Sequence, residues 1–326
     1  MTYPPLRVPE GHRVDRKTIV GKKGDHPRFA EGDVPTTRRP TTAKNRLMRF
    51  SIITPSFRQS EWLKLCIASV ADQQGIKVEH IVQDAVSDDG TLDWLQQDKR
   101  VRAFVEKDAG MYDAVNRGLR RSSGEWLAYL NCDEQYLPGA LQAVAEFFHA
   151  NPGVEIVFAD TIVIDAQGGY VCDRKVLLPL RNHSTICSLG VLTAAMFFRR
   201  SVLQNHDLYF DCRWRVVGDV DWVLRALHRK ARMAVLRRFT SAFTDTGDNM
   251  SLKPNGRGES RLMAKSAPRL VQKLTPVFKI HHRLRRLVHG LYFQKPHSYS
   301  IYTRGSPDQR LVFEVDKPTA IWKSRL

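Results

Sequence analysis

The stretch Glu125-Trp126-Leu127-Ala128-Tyr129-Leu130-Asn131-Cys132-Asp133-Glu134 decides the fold. A short apolar run closed by polar turn formers reads as a buried strand, and this one ends in an acidic pair. Two upstream stretches repeat the design. Ile81-Val82 leads to Asp84 and then Asp88-Asp89-Gly90-Thr91, and the segment from Val101 to Glu106 leads to Asp108-Ala109-Gly110-Met111-Tyr112-Asp113. Between strands, Trp62, Leu63, Cys66, Ile67 and Val70 recur at the spacing of a half-buried helix. The βαβα order predicts an α/β fold, a Rossmann-like and mostly parallel central sheet flanked by helices. In such a sheet the ligand crevice lies outside the carboxyl ends of the strands, so acids far apart in sequence meet at one site. Carboxylates gathered there call for a hard divalent cation, Mg²⁺ or Mn²⁺, with its phosphate ligand.

Working outward, a helix is predicted from Met111 to Ser122, and another opens at Pro138, a residue suited to a first helical turn. Ile156 to Asp160 and the following Thr161 to Ile164, turning at Gly168-Gly169, read as strand and hairpin. Trp222, Val223, Leu224, Ala226 and Leu227 give Asp219 a helix to stand on. On that helix Asp221 points away from Asp219, toward Arg225. Beyond Gly256, Leu270, Leu274, Val277, Leu284, Leu287, Val288 and Leu291 keep a three-to-four spacing among arginines, which predicts a basic amphipathic helical extension. Three segments result: a disordered basic arm over 1–45, rich in proline and charge; an α/β domain over 46–256; and the basic C-terminal extension over 257–326.

The net charge of +17 is uneven. Residues 1–49 carry +7 and residues 257–326 carry +11, whereas 50–256 carry −1. The basic ends suit an anionic surface, nucleic acid or phospholipid. A nucleic-acid-binding protein leaves the ordered acids of the neutral middle unexplained, so no nucleic acid partner is expected. A nucleotidyltransferase would share the sheet, the acids and the metal, but would open with a glycine-rich phosphate loop, and none follows Phe50 to Thr54. The five cysteines are odd in number and form no Cys-x-x-Cys pair, which favours reduced thiols in the cytoplasm and argues against zinc. No apolar run approaches the ~20 residues of a spanning helix, and the N-terminus lacks the apolar core of a signal peptide. His183, His281 and His282 have no metal-ligand spacing.

Five motifs stand in one order: Phe50-Ser51-Ile52-Ile53-Thr54-Pro55-Ser56-Phe57; Asp84 to Thr91; Asp108 to Gly118; Asn131-Cys132-Asp133-Glu134; and Gly218-Asp219-Val220-Asp221-Trp222. Over roughly residues 48 to 230 the chain resembles the family 2 glycosyltransferases of GT-A fold, a family of inverting enzymes. The resemblance implies a nucleotide-sugar donor, with UDP as the nucleotide, and a glycan or lipid-linked acceptor of the cell-surface polysaccharide type. Thr54, Pro55, Ser56 and Asp84 would line the nucleotide pocket, and Asp108, Tyr112, Asp113 and Asn131 would serve donor binding. Asp133 would hold the metal, with Asn131 and Glu134 assisting through water or hydrogen bonds, and Asp219 would be the catalytic base. Asp108 and Asp113 suit a helix start equally well, because the dipole favours acids there. The family usually has Glu before the base, whereas Gly218 stands here. The basic extension would either bring the enzyme to an anionic membrane, peripheral on the inner face, or pack on its own domain.

Overall fold

The computed structural model describes residues 49–187, 189–247 and 253–322. The arm expected over 1–45 lies outside the described residues. The chain enters at β1 (Arg49–Ser56) and continues through α1 (Ser60–Ala71), β2 (Lys77–Asp84), α2 (Thr91–Leu95), β3 (Arg102–Val105), α3 (Met111–Arg121) and β4 (Trp126–Tyr129). Helical crossovers make these strands parallel, in the order β3-β2-β1-β4. Alternate residues of β1 and β4 feed two cores: Ile53, Leu127 and Tyr129 pack on one face, and Phe50, Ile52, Trp126 and Ala128 on the other. Both faces are covered, which is why these strands read as near-continuous apolar runs.

Next come β5 (Glu134–Tyr136), α4 (Ala140–Ala150), β6 (Ile156–Asp165), β7 (Tyr170–Arg174), α5 (Arg181–Ile186), β8 (Met196–Arg199), α6 (Ser201–His206), α7 (Gly218–His228) and β9 (Met233–Asp245). They extend the sheet to the order β3-β2-β1-β4-β8-β6-β9-β5, with β7 paired to β6. The parallel order continues at β6 with β9, but β8, β7 and β5 run against their neighbours. For β7 the reason is connection length, since a tight turn can only reverse the chain. The stretch 156–164 lies in one continuous strand, and the expected turn at Gly168-Gly169 closes its hairpin with β7. Pro138 precedes its helix rather than opening it, because Gly139 at φ +69° makes the turn.

Beyond the sheet the chain forms α8 (Pro254–Lys265), α9 (Arg269–Lys273), α10 (Thr275–Val288) and the antiparallel pair β10 (His297–Thr303) and β11 (Ser306–Val315). The extension is therefore helical only as far as Val288. Its hairpin, absent from the expectation, packs Tyr299, Ile301 and Val315 on Leu137, Ile162 and Ala242. Gln135 exchanges two hydrogen bonds with the Tyr302 backbone, and Arg310 grips Asp72 through Nε and Nη2 at 2.6 and 2.9 Å. Residue 256 thus marks a change of composition and not a separate body, since one compact unit runs from Arg46 onward.

The apolar stripe of α10 is not turned onto this unit. Val277, Ile280, Leu284 and Leu287 are 57, 66, 53 and 49% exposed. Another side of the helix makes the contact, through His281 with His183 (2.9 Å) and Arg285 with the Leu178 carbonyl. Folding thus brings together histidines that no sequence spacing linked. Burial lowers the pKa of His183 and brings that of His282 to about 4. No helix among the described residues is long and apolar enough to cross a membrane.

Candidate active site

The crevice is built from the ends of β1, β2 and β4 and the start of α7. At the end of β2, the fully buried Asp84 carboxylate accepts from Ser56 Oγ (2.8 Å), Ser87 N (2.7 Å) and Ser87 Oγ (2.8 Å). A charge without solvent is tolerated because these donors replace its hydration. Ser56 and Asp84 therefore stand together. Thr54 does not join them: its hydroxyl lies in the core, 2.9 Å from His80 Nε2. Burial pushes His80 down to about 3, so it is a neutral partner. Pro55 is buried too, and its carbonyl accepts from Cys132 Sγ (3.0 Å), linking the ends of β1 and β4.

After β3, Asp108 accepts from Gly110 N (2.8 Å), and Asp113 accepts from Ala109 N (3.0 Å) and Arg117 Nη2 (2.8 Å). Burial acts to raise the Asp113 pKa, but these hydrogen bonds prevail and hold it below its ordinary value. Both acids thus organise the start of α3, one of the two parts the sequence left open for them. Tyr112 is buried beneath the crevice. Its hydroxyl donates to the Val216 carbonyl (2.9 Å) and accepts from Asp219 N (3.2 Å). Its ring stacks on Phe210, which stacks in turn on Trp222 of α7, each contact being worth about 0.5–1.5 kcal/mol beyond burial. Tyr112 therefore supports the loop before Asp219. That part could not be read from a motif, because its partners are 104 and 107 residues away.

Between β4 and β5, Asn131 N donates to Glu134 Oε2 (2.9 Å), and Thr244 Oγ1 donates to the Asp133 carbonyl. Burial raises the pKa of both Asp133 and Glu134, and the charge of Asp133 raises Glu134 further. Asn131 Oδ1 and Glu134 Oε1 are buried without a hydrogen-bond partner. Two orphaned oxygens beside a half-buried carboxylate match the oxygen chemistry of Mg²⁺ or Mn²⁺. Among the described residues no group of three or more His, Cys, Asp and Glu forms a preformed metal cage. A cation held by one or two carboxylates and completed by substrate phosphates needs none.

Asp219 occupies the first turn of α7, where Val220 N donates to its Oδ1 (2.8 Å). Burial pushes its pKa up to about 6, and its charge contributes to the raised values of Glu134, Tyr112 and Tyr129. The acids of the β4–β5 junction and of α7 thus lie within electrostatic reach of each other. Asp221 pairs with Arg225 at 2.7 Å, as the helical spacing predicts. Gly218 also has a physical reason. A Cβ there would stand 2.5 Å from Tyr112 Cε2, so a ring fills the space that a glutamate side chain would enter.

The crevice combines a buried carboxylate held by Ser56 and Ser87, oxygen donors suited to a cation, and a carboxylate raised to about 6, a constellation suited to group transfer from a phosphorylated donor. A sequence model described as glycosyl transferase family 2 matches residues 51–206. The chain is similar to the PGL/p-HBAD biosynthesis glycosyltransferase of Mycobacterium tuberculosis, at 31% identity over 192 residues that span 56% of this chain and 71% of that protein. The Mycobacterium bovis protein of the same name matches equally. Among solved structures, S. aureus TarS 1–349 in complex with UDP-GlcNAc superposes with a TM-score of 0.54 at 18% identity, over 76% of either chain. That superposition gives the GT-A fold.

Proposed function

Because the chain belongs to glycosyl transferase family 2, we propose that it moves a sugar from a UDP-sugar to a hydroxyl of a glycan or lipid-linked acceptor with inversion. The observation that carries this reading is the Asp219 carboxylate at the start of α7, raised to about 6 by burial and within electrostatic reach of Glu134 at the β4–β5 junction. A base poised near the working pH is ionised in time to accept the acceptor hydroxyl proton as the new bond forms. Asp84 fixes Ser56 and Ser87 at the ends of β1 and β2, beside which the nucleobase end of the donor would lie. The UDP-GlcNAc complex of TarS supports UDP as the nucleotide. Asp133, with Asn131 Oδ1 and Glu134 Oε1, would hold Mg²⁺ or Mn²⁺. When bound, the cation offsets the charge of the departing diphosphate. Asp108 and Asp113 hold the chain at the start of α3, and Tyr112 supports the loop that carries Asp219.

An anionic membrane is the surface on which the acceptor would be met, with the enzyme peripheral on its cytoplasmic face. The exposed stripe of α10 supports this, together with the absence of any acid between Glu259 and Asp308. Apolar insertion and basic attraction of about 1 kcal/mol per residue near the surface act together there. The test is UDP release from a panel of UDP-sugars with Mg²⁺ or Mn²⁺ and again with EDTA. Metal-dependent release from at least one donor is expected. Neither release nor UDP binding with any of them would overturn the reading.

A further inference from the structure

The three residues before α7 carry a chain of backbone donors that the helix itself does not use. Helix α7 begins behind Val217, which has no side-chain cap. The N–H groups of Arg215, Val216 and Val217 all donate to one carboxylate, that of Glu259 in α8, at 2.9, 2.8 and 3.1 Å. Glu259 is the only acid in α8 and shares a face with its buried Gly256 and Met263, so its carboxylate is carried on a packed side of the helix. An anion at this end of α7 is also favoured by the helix dipole.

Val216 is therefore held from both sides: its N–H by Glu259, and its carbonyl by the Tyr112 hydroxyl that also accepts from Asp219 N. Arg215 adds a bond from Nη1 to the Ala109 carbonyl, joining this loop to the turn before α3. From Arg215 to Asp219 the backbone is thus fixed by contacts from two other elements. Glu259 is the only one of these contacts that comes from the C-terminal extension.

We infer that Glu259 is a positioning residue, which sets the backbone from which Asp219 reaches the acceptor. The inference rests on the reading of Asp219 as the base. Because Asp84 and Asp133 stand on β2 and after β4, loosening this loop should harm turnover and spare donor binding.

The experiment compares wild type, Glu259→Gln and Glu259→Ala as full-length chains. Hydrolysis is followed with whichever UDP-sugar the wild type cleaves, and amide exchange is measured beside it. Glutamine keeps one acceptor oxygen and alanine none, so kcat should fall in the order wild type, Gln, Ala. A tenfold or greater loss is expected for alanine, with KM for the UDP-sugar within twofold. Exchange should quicken at Arg215 to Val217 and stay unchanged around Asp84. Unchanged exchange at 215–217 overturns the clamp. Faster exchange with unchanged kcat, or kcat, KM and melting temperature worsening together, overturns the positioning role. A wild type that cleaves no UDP-sugar counts against the transferase reading and with it the positioning of a base, while exchange still judges the clamp.

Discussion

Replacing Asp219 by asparagine removes the proton acceptor and keeps both the shape of the side chain and the hydrogen bond from Val220 N. General-base catalysis contributes roughly 10²- to 10⁴-fold, or about 3–5 kcal/mol of barrier, so kcat should fall at least ~100-fold. UDP affinity should hold, because the groups expected to bind the donor are untouched. Burial raises the wild-type carboxyl to about 6. Its ionised fraction then climbs about tenfold between about pH 5 and about pH 7, and kcat should follow. The variant should lose that acid limb. Stability gives an independent check. The folded pKa lies above the unfolded value of about 3.9, so the unfolded state releases this proton first. The contribution of Asp219 to stability is therefore present below that value and lost as pH rises through about 6. A rise from about 3.9 to about 6 corresponds to about 3 kcal/mol, and partial exposure brings the penalty nearer ~1 kcal/mol. The variant should melt at or above the wild-type temperature near neutral pH, with the difference closing toward about pH 4. Calorimetric UDP titration, a pH–rate series and thermal melts test this. An acid limb that survives in the variant, near-normal transfer, or affinity, melting temperature and activity falling together would refute Asp219 as the base.

Asp133→Ala should abolish the Mg²⁺ or Mn²⁺ dependence of UDP binding in calorimetry, since the cation would lose its main carboxylate while the diphosphate kept its charge; unchanged metal dependence would count against the assignment. Gly218→Ala forces a Cβ to 2.5 Å from the Tyr112 ring, so thermal unfolding should show a loss of about 1–3 kcal/mol, and kcat should drop as the support under Asp219 shifts. A stable, fully active variant would mean that the ring can move aside freely. Replacing Val277, Ile280 and Leu284 with serine leaves the core intact, because all three are exposed. Sedimentation with anionic vesicles at low salt should then fall well below wild type, and equal sedimentation would remove α10 as a membrane dock.

How far the site could be read from the sequence depended on whether each residue acts locally. Asp84, Asp108 and Asp133 each follow an apolar run, and in a parallel sheet such runs end on the same edge, so their placement along that edge follows from chain order. The pairing of Asp221 with Arg225 needs only helical spacing. Thr54 stands in the same motif as Ser56, yet alternate strand residues face opposite ways, and only the packed sheet shows that Thr54 meets His80 while Ser56 meets Asp84. The antiparallel strands β5 and β8 were also hidden, because a short apolar run does not state its direction, whereas the turn at Gly168-Gly169 announced the hairpin of β6 with β7.

The sequence by itself determined the α/β order, the acidic edge, the neutral middle with basic ends, and the family, because each is a property of local runs or of composition. Tertiary structure alone decided what Tyr112, Gly218 and Glu259 do. Their partners lie tens of residues or more away in the chain, and Glu259 reaches its three amide donors from a segment whose composition announced a strong net positive charge. It also decided that the apolar stripe of α10 faces outward, since periodicity shows that a helix has two faces but not which of them the rest of the chain will cover.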